Sequence, residues 1–258
     1  VGGPVSFQVG GPLLVALLLA SVRAAAWLVI CPPFSYRAIP GPVKALLSVA
    51  IALPIAPRLT GQVPGYTVGP LLFGVAQQAL VGVALGFVTA LLFAAVQSAG
   101  DLVDLFGGFS IAFAFDPLAQ NGNSVFGRFY GLLASTLLFA TDGHQLVLRG
   151  FTQSYQALPL NQGLSMSELA RVLTTGLSQL FLAAVQIAGP LIAVLFLADL
   201  GLGLLSRAAP ALNAFSLGFP AKILLTLSLA GFGLLLLPQA VGTLVDQAVR
   251  AVVGLAGR

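Results

Sequence analysis

After Pro70 the chain runs to Phe106 without another proline, and most of that stretch is apolar. Proline suits the first position of a helix. At 1.5 Å per residue, ~36 residues make a helix of roughly 54 Å. A bilayer's hydrocarbon core is only about 30 Å thick. Such a helix must kink at a glycine, tilt strongly, or project beyond the lipid. The whole chain is 58% hydrophobic and 7% charged, whereas soluble domains carry about 25% charged residues. An integral, all-α membrane protein of long, kinked helices in hairpins is expected.

The first apolar run, about Leu13–Cys31, contains Arg23. An ionisable residue inside a span faces a partner or a polar cavity, or snorkels to the interface. Pro32-Pro33 ends the run, and Arg37, Pro40, Gly41 and Pro42 form a rigid polar connection. Val43–Leu59 holds Pro54 and Pro57 and is a marginal span, since about 20 apolar residues are needed. Gly61–Pro70 reads as a loop, with Tyr66 suited to an interface. Late in the long run, Gln97, Asp101 and Asp104 share one helical face. That face meets water or another subunit.

The stretch GGFSIAFAFDPLAQNGNSVFGR, Gly107–Arg128, interrupts this pattern. Gly107 and Gly108 open it, and Asp116-Pro117 and Asn121-Gly122-Asn123 are turn chemistry. Extended backbone would put Phe109, Ile111, Phe113 and Phe115 on one side. Irregular backbone at membrane depth is tolerated only where protein buries it or it lines a cavity. A pore-lining plug fits; so does a surface loop with an apolar tip, or a short buried strand.

Phe129–Tyr155 follows, with Asp142-Gly143-His144 inside it. His144 fits a proton relay or, more simply, a hydrogen-bonded helix break. Ser165-Met166-Ser167-Glu168 offers N-cap chemistry to a run of about Glu168–Ala208, which Gly189-Pro190 should kink. Asp199 and Arg207 lie two turns apart there, and Pro210 ends the run. Ala211–Phe219 reads as a loop centred on Asn213, and Pro220 as the start of the last helix. Lys222 then falls in its first turn, opposing the helix dipole, so an anionic partner such as Asp199 is expected. A buried cluster of Asp199, Arg207 and Lys222 would hold this hairpin. The helix is expected to end near Pro238, with an amphipathic tail after it.

The net charge of +4 is scattered, with no basic run for nucleic acid. Cys31 is alone, so there is neither a disulfide nor metal spacing; a small apolar residue at a helix end is its simplest account. No basic segment precedes the first apolar run, so no cleaved signal peptide is expected. Nucleophile elbow, HExxH, Walker A and GxGxxG patterns are all missing. No cofactor and no catalysis are expected. If six runs alternate across the membrane, Arg37, Lys44, Arg128, Arg207 and Lys222 oppose Arg58, Arg149, Arg171, Arg250 and Arg258. That is a tie, so the positive-inside rule sets no orientation.

Two long motifs resemble the FliR family of flagellar type III export-gate proteins, which is homologous to an injectisome family. They are GFSIAFAFDPLAQNGNSVFGRFYGLLASTLLFATDGHQLVL and IAGPLIAVLFLADLGLGLLSRAAPALNAFSLGFPAKILL. The earlier ICPPFSYRAIPGPVKALLSVAIALPIAP is similar to a weaker family pattern. The likeness covers about residues 22–250. Gly189 stands where alanine is expected, and Ala211 where a polar residue is expected, which bears on contacts near Asn213.

The resemblance implies one domain over 1–258: N-terminal helices at about 13–106, a plug loop at 107–128, and C-terminal hairpins at 129–258. It implies a single copy in a helical gate with FliP and FliQ, next to FlhB and the FlhA export apparatus. That gate would sit in the bacterial inner membrane within the flagellar basal body. Unfolded flagellar proteins would pass through, driven chiefly by the proton motive force. The plug would comprise Gly107, Gly108, Phe109, Ile111, Phe113, Phe115, Asp116 and Pro117. Arg128, Gly143, His144, Pro190, Asp199, Arg207, Pro210, Asn213, Pro220 and Lys222 would serve structure and assembly. The expected function is a structural channel subunit of the flagellar gate. The injectisome equivalent is the near alternative, and a small-molecule or ion transporter the alternative of another class.

Overall fold

The computed structural model describes residues 10–36, 38–64, 67–109, 124–209 and 214–254. Every regular element among them is helical: α1 Gly11–Ile30, α2 Gly41–Ala52, α3 Ala56–Leu59, α4 Val68–Gly107, α5 Val125–Ala140, α6 Gly143–Ala157, α7 Met166–Ala208 and α8 Ala214–Gly254. A single 3₁₀ turn, Thr60–Gln62, follows α3. The chain is an all-α membrane protein. Four helices are long and apolar enough to cross a bilayer, or up to five if one bent pair counts as a span.

Local chemistry sets most of the ends. A proline in its first turn opens α1. It closes where the Cys31 N–H donates to the Trp27 carbonyl, just before Pro32-Pro33. The marginal run Val43–Leu59 is the bent pair: α2 and Ala56–Gln62 meet at 64°, around Pro54, which has no N–H to continue a helix. At α7, Ser165 and Glu168 form a reciprocal cap. The Ser165 N–H donates to Glu168 Oε2 at 2.8 Å, and the Glu168 N–H donates to Ser165 Oγ at 3.3 Å. The break between α5 and α6 falls at Asp142, whose φ of 57° is left-handed, a conformation that Asp tolerates better than most residues.

Three helices exceed the bilayer. α4 has 40 residues, α7 has 43 and α8 has 41, or about 60 Å each. α7 runs through Pro190. The last helix corrects two expectations. It starts at Ala214, ahead of Pro220, and continues past Pro238 to Gly254. An interior proline costs about 3 kcal/mol. Opening the helix in an apolar setting would strand several backbone groups, each costing several kcal/mol, so continuing is cheaper. Lys222 is therefore not in a first turn, and its predicted dipole argument falls away.

The chain forms two compact units, each built from separated stretches: residues 1–90, 146–174 and 248–258, and residues 91–145 and 175–247. In the first, α1 packs along α2 and α3. α1 also crosses α4 closely at Gly82 and Gly86. A Cβ at Gly82 would overlap the Arg23 carbonyl, and one at Gly86 would lie 3.1 Å from the Trp27 carbonyl. Small residues four apart allow such contact between membrane helices. Trp27 stacks on Phe151 at 4.5 Å. Cys31 is fully buried, a small residue at the helix end. In the second unit, α5 buries Phe126, Tyr130, Ala134 and Leu138, a stripe at i, i+4 spacing.

Candidate functional site

The region around the interruption is the first candidate. Only its margins, to Phe109 and from Ser124, are described; Ile111, Phe113, Phe115, Asp116 and Pro117 lie outside the described residues. Gly108 follows α4 with φ at +84°, the left-handed position that glycine occupies after a helix. A Cβ at Gly107 would press on Thr226 at 2.8 Å, and one at Gly108 would meet the Phe219 ring. Phe109 sets its ring edge-on to Phe126 at 5.3 Å.

The far margin is fixed by polar groups. Ser124 caps α5: its Oγ accepts from the Gly127 N–H at 2.7 Å. Its hydroxyl donates to Asp104 Oδ2, which also accepts from the Phe126 N–H at 3.0 Å. Asp104 is buried. A Cβ at Gly100 would overlap the Phe126 carbonyl, and one at Gly127 would overlap the Asp101 carboxylate. The face of Gln97, Asp101 and Asp104 thus turns at its buried end onto α5 of the same chain, while Gln97 and Asp101 stay exposed. Arg128, in the first turn of α5, is exposed.

The expected triad resolves into a pair. Lys222 Nζ lies 2.7 Å from Asp199, with side-chain exposures of 15% and 43%. Arg207 occupies the last turn of α7 and is exposed. A cation suits a helix C-terminus without a side-chain partner. Pro210 and Asn213 lie outside the described residues. Pro190 and Tyr130 line a cavity of about 290 Å³ with Gln186, Gly233, Gln239 and Gln247. At the α5–α6 break Gly143 is buried, and His144 packs on Phe139 at 5.1 Å. The hydrogen bond expected of His144 is not made at Nδ1, which is buried without a partner among the described residues.

Arg23 is the larger surprise. It is 0% exposed. Its Nε donates to Gln78 Oε1 at 2.7 Å, and its two terminal nitrogens donate to the carbonyls of Ser154 at 3.1 Å and Leu158 at 2.7 Å. The guanidinium sits 4.4 Å over the Tyr155 ring. The Tyr155 hydroxyl donates to the Ala20 carbonyl at 2.8 Å. Burial holds its phenol above the usual range, with Arg23 opposing, so it remains a neutral donor. Gln78 Nε2 donates to the Leu160 carbonyl at 3.1 Å, and the Leu160 N–H to Gln62 Oε1 at 3.3 Å. Snorkelling is thereby excluded. Arg23 caps the C-terminal end of α6 from α1, where a cation is favoured. Sequence reasoning alone misses Gln78 and Tyr155. The usable signal was a glutamine inside one apolar run and an arginine inside another, since polar groups in lipid seek each other.

Among the described residues, no group of three or more His, Cys, Asp or Glu side chains could hold a metal. Arg23, Asp104, Tyr155 and the Asp199–Lys222 pair tie helices to one another. The class defined is an all-helical membrane protein.

Residues 14–248 match the family "Bacterial export proteins, family 1", and the chain belongs to that family. It is 36% identical to the flagellar biosynthetic protein FliR of Pectobacterium carotovorum subsp. carotovorum, over 83% of this chain and 82% of the relative. It is 35% identical to FliR of Escherichia coli (strain K12), over 84% and 80%. It is 30% identical to the Yop proteins translocation protein T of Yersinia pestis, over 82% of each. As a member of a family of export-apparatus proteins, the chain is not an enzyme.

Proposed function

We propose that this chain is a structural channel subunit of the flagellar type III protein export gate in the bacterial inner membrane. One copy assembles with FliP and FliQ in the basal body, next to FlhB and the FlhA apparatus, and unfolded flagellar proteins pass through. The observation that carries this reading is the state of α7 and α8. They are twice as long as a bilayer is thick. In their most apolar windows only 22% and 18% of residues are buried. Phe181, Leu197, Leu204, Leu224 and Leu235 are among the exposed side chains. Lipid can cover about half of such a helix, and partner subunits cover the rest.

Within this reading, Phe109, Ile111, Phe113 and Phe115 seal the closed channel by dewetting. Gly107 and Gly108 permit their movement, and Asp116-Pro117 anchors the far end. Arg128 fixes α5 against a neighbour. The flagellar relatives favour the flagellar gate; the Yersinia relative keeps the injectisome gate as the second reading.

Co-expression with FliP and FliQ, followed by native mass spectrometry in mild detergent, tests the assembly. One copy bound in a FliP–FliQ oligomer is expected; a monomer or homodimer indifferent to them would refute it. Co-expression with the injectisome counterparts separates the two gates. Removing Phe109–Phe115 should raise ion leakage through an assembled gate. Unchanged conductance would remove the sealing role.

A further inference from the structure

Among the described residues, Asp104 is the one buried carboxylate, and it bonds across 20 residues of sequence. A helix begins with four backbone N–H groups that have no partner within it. At α5, Ser124 takes that of Gly127, and Asp104, reaching over from α4, takes that of Phe126. The Ser124 hydroxyl is oriented by the same carboxylate oxygen. Gly100 and Gly127 bring the two helices together at this level. The Phe109–Phe126 ring contact closes the same margin from the apolar side. All these groups lie where the chain leaves α4 and where it re-enters α5, so the bonds join the two ends of the intervening segment.

We propose that Asp104 is a positioning residue for the gate: a cap supplied by α4 to α5 that holds the two ends of the sealing segment on a fixed base. This rests on the sealing role given above to Phe109–Phe115. Only one carboxylate oxygen is used; Oδ1 is buried without a partner among the described residues. What the cap requires is therefore an acceptor at Oδ2 rather than a full charge, and an asparagine amide oxygen supplies one.

The test compares Asp104→Ala and Asp104→Asn in the full-length chain. The first readout is hydrogen exchange at the Phe126 and Gly127 amides in lipid nanodiscs. The second is ion leakage of the gate assembled with FliP and FliQ. D104A should exchange roughly fivefold to tenfold faster at these amides, as expected for a lost cap, and should leak. D104N keeps an acceptor but sets an NH2 in place of the unpartnered Oδ1, so it should fall between the wild type and D104A in both. Unchanged exchange in D104A, or equal disturbance by D104N, overturns the cap. Faster exchange without leakage, while deletion of Phe109–Phe115 does leak, overturns the positioning role but spares the seal. If that deletion itself fails to leak, the sealing role falls, and the exchange data alone decide whether Asp104 ties the helices.

Discussion

Two charged sites on the helices were each visible in the sequence as an ionisable residue in an apolar run, and the structure treats them in opposite ways. Arg23 is sealed: it has three hydrogen bonds, an aromatic face beneath it and no exposure. Its partners are neutral, two of them backbone carbonyls near the end of α6. The Asp199–Lys222 pair has complementary charges, yet Asp199 is 43% exposed. Around it, Phe196, Leu197 and Leu200 are exposed as well. The first site is finished within the chain. The second lies on a face where, among the described residues, the neighbouring apolar side chains are exposed, as the assembly surface proposed above requires. Burial and satisfaction, not formal charge pairing, distinguish a structural knot from a docking surface.

The largest expected effect breaks the closed site. Arg23→Ala would strand Gln78 and the Leu158 carbonyl in the interior, where each unsatisfied polar group costs about 1–3 kcal/mol. A loss on the order of 3–5 kcal/mol follows, read as a lower midpoint of thermal unfolding in mild detergent. Arg23→Lys should recover less than half of it, because an ammonium cannot reach acceptors in three directions with a guanidinium's fork. A wild-type midpoint for R23A would end the distinction drawn here.

That site also shows how far the sequence could be read. Arg23 was recognisable as a residue needing a partner. Naming Gln78, Ser154 and Leu158 required knowing that α1 crosses α4 at Gly82 and that α6 ends beside both. Those contacts span 55 to 135 residues, and periodicity carries no information at that range. Local features were legible: the Ser165–Glu168 cap, the break at Asp142 and the stop at Pro32-Pro33 all follow from neighbouring residues. The error at Pro220 and Pro238 was also local. Locally a proline marks a helix boundary, whereas an apolar setting makes an unbroken helix cheaper. The Asp104 cap was missed for a different reason. Three polar residues on one face point to water or another subunit, and only the return of the chain at Ser124 reveals that one of them caps a helix of the same chain.

A middle-sized effect calibrates the scale. Ser165→Ala removes one side of an exposed reciprocal cap on α7 and should cost about 1 kcal/mol in the same unfolding measurement. Ser165 lies in neither charged site, so it shows what an ordinary local bond is worth in this protein. If S165A cost as much as R23A, burial would not be what makes Arg23 costly to lose.

The smallest effect on the isolated chain belongs to the open site. An exposed ion pair contributes about 0–1 kcal/mol, so Asp199→Asn should barely move the unfolding midpoint. Asp199→Lys sets two cations side by side and should cost somewhat more, limited because the side chain at the more exposed position 199 can turn toward solvent. Within an assembly the arithmetic changes. If a partner covers Phe196, Leu197 and Leu200, Asp199 loses its solvent, and a lysine in its place becomes a second buried cation beside Lys222, which costs several kcal/mol. Asp199→Lys should therefore leave the monomer folded and abolish its incorporation into the FliP–FliQ oligomer, as read by native mass spectrometry. Normal incorporation would mean that the face around Asp199 stays exposed to lipid headgroups or water. The assembly surface would then have to be sought elsewhere on α7 and α8.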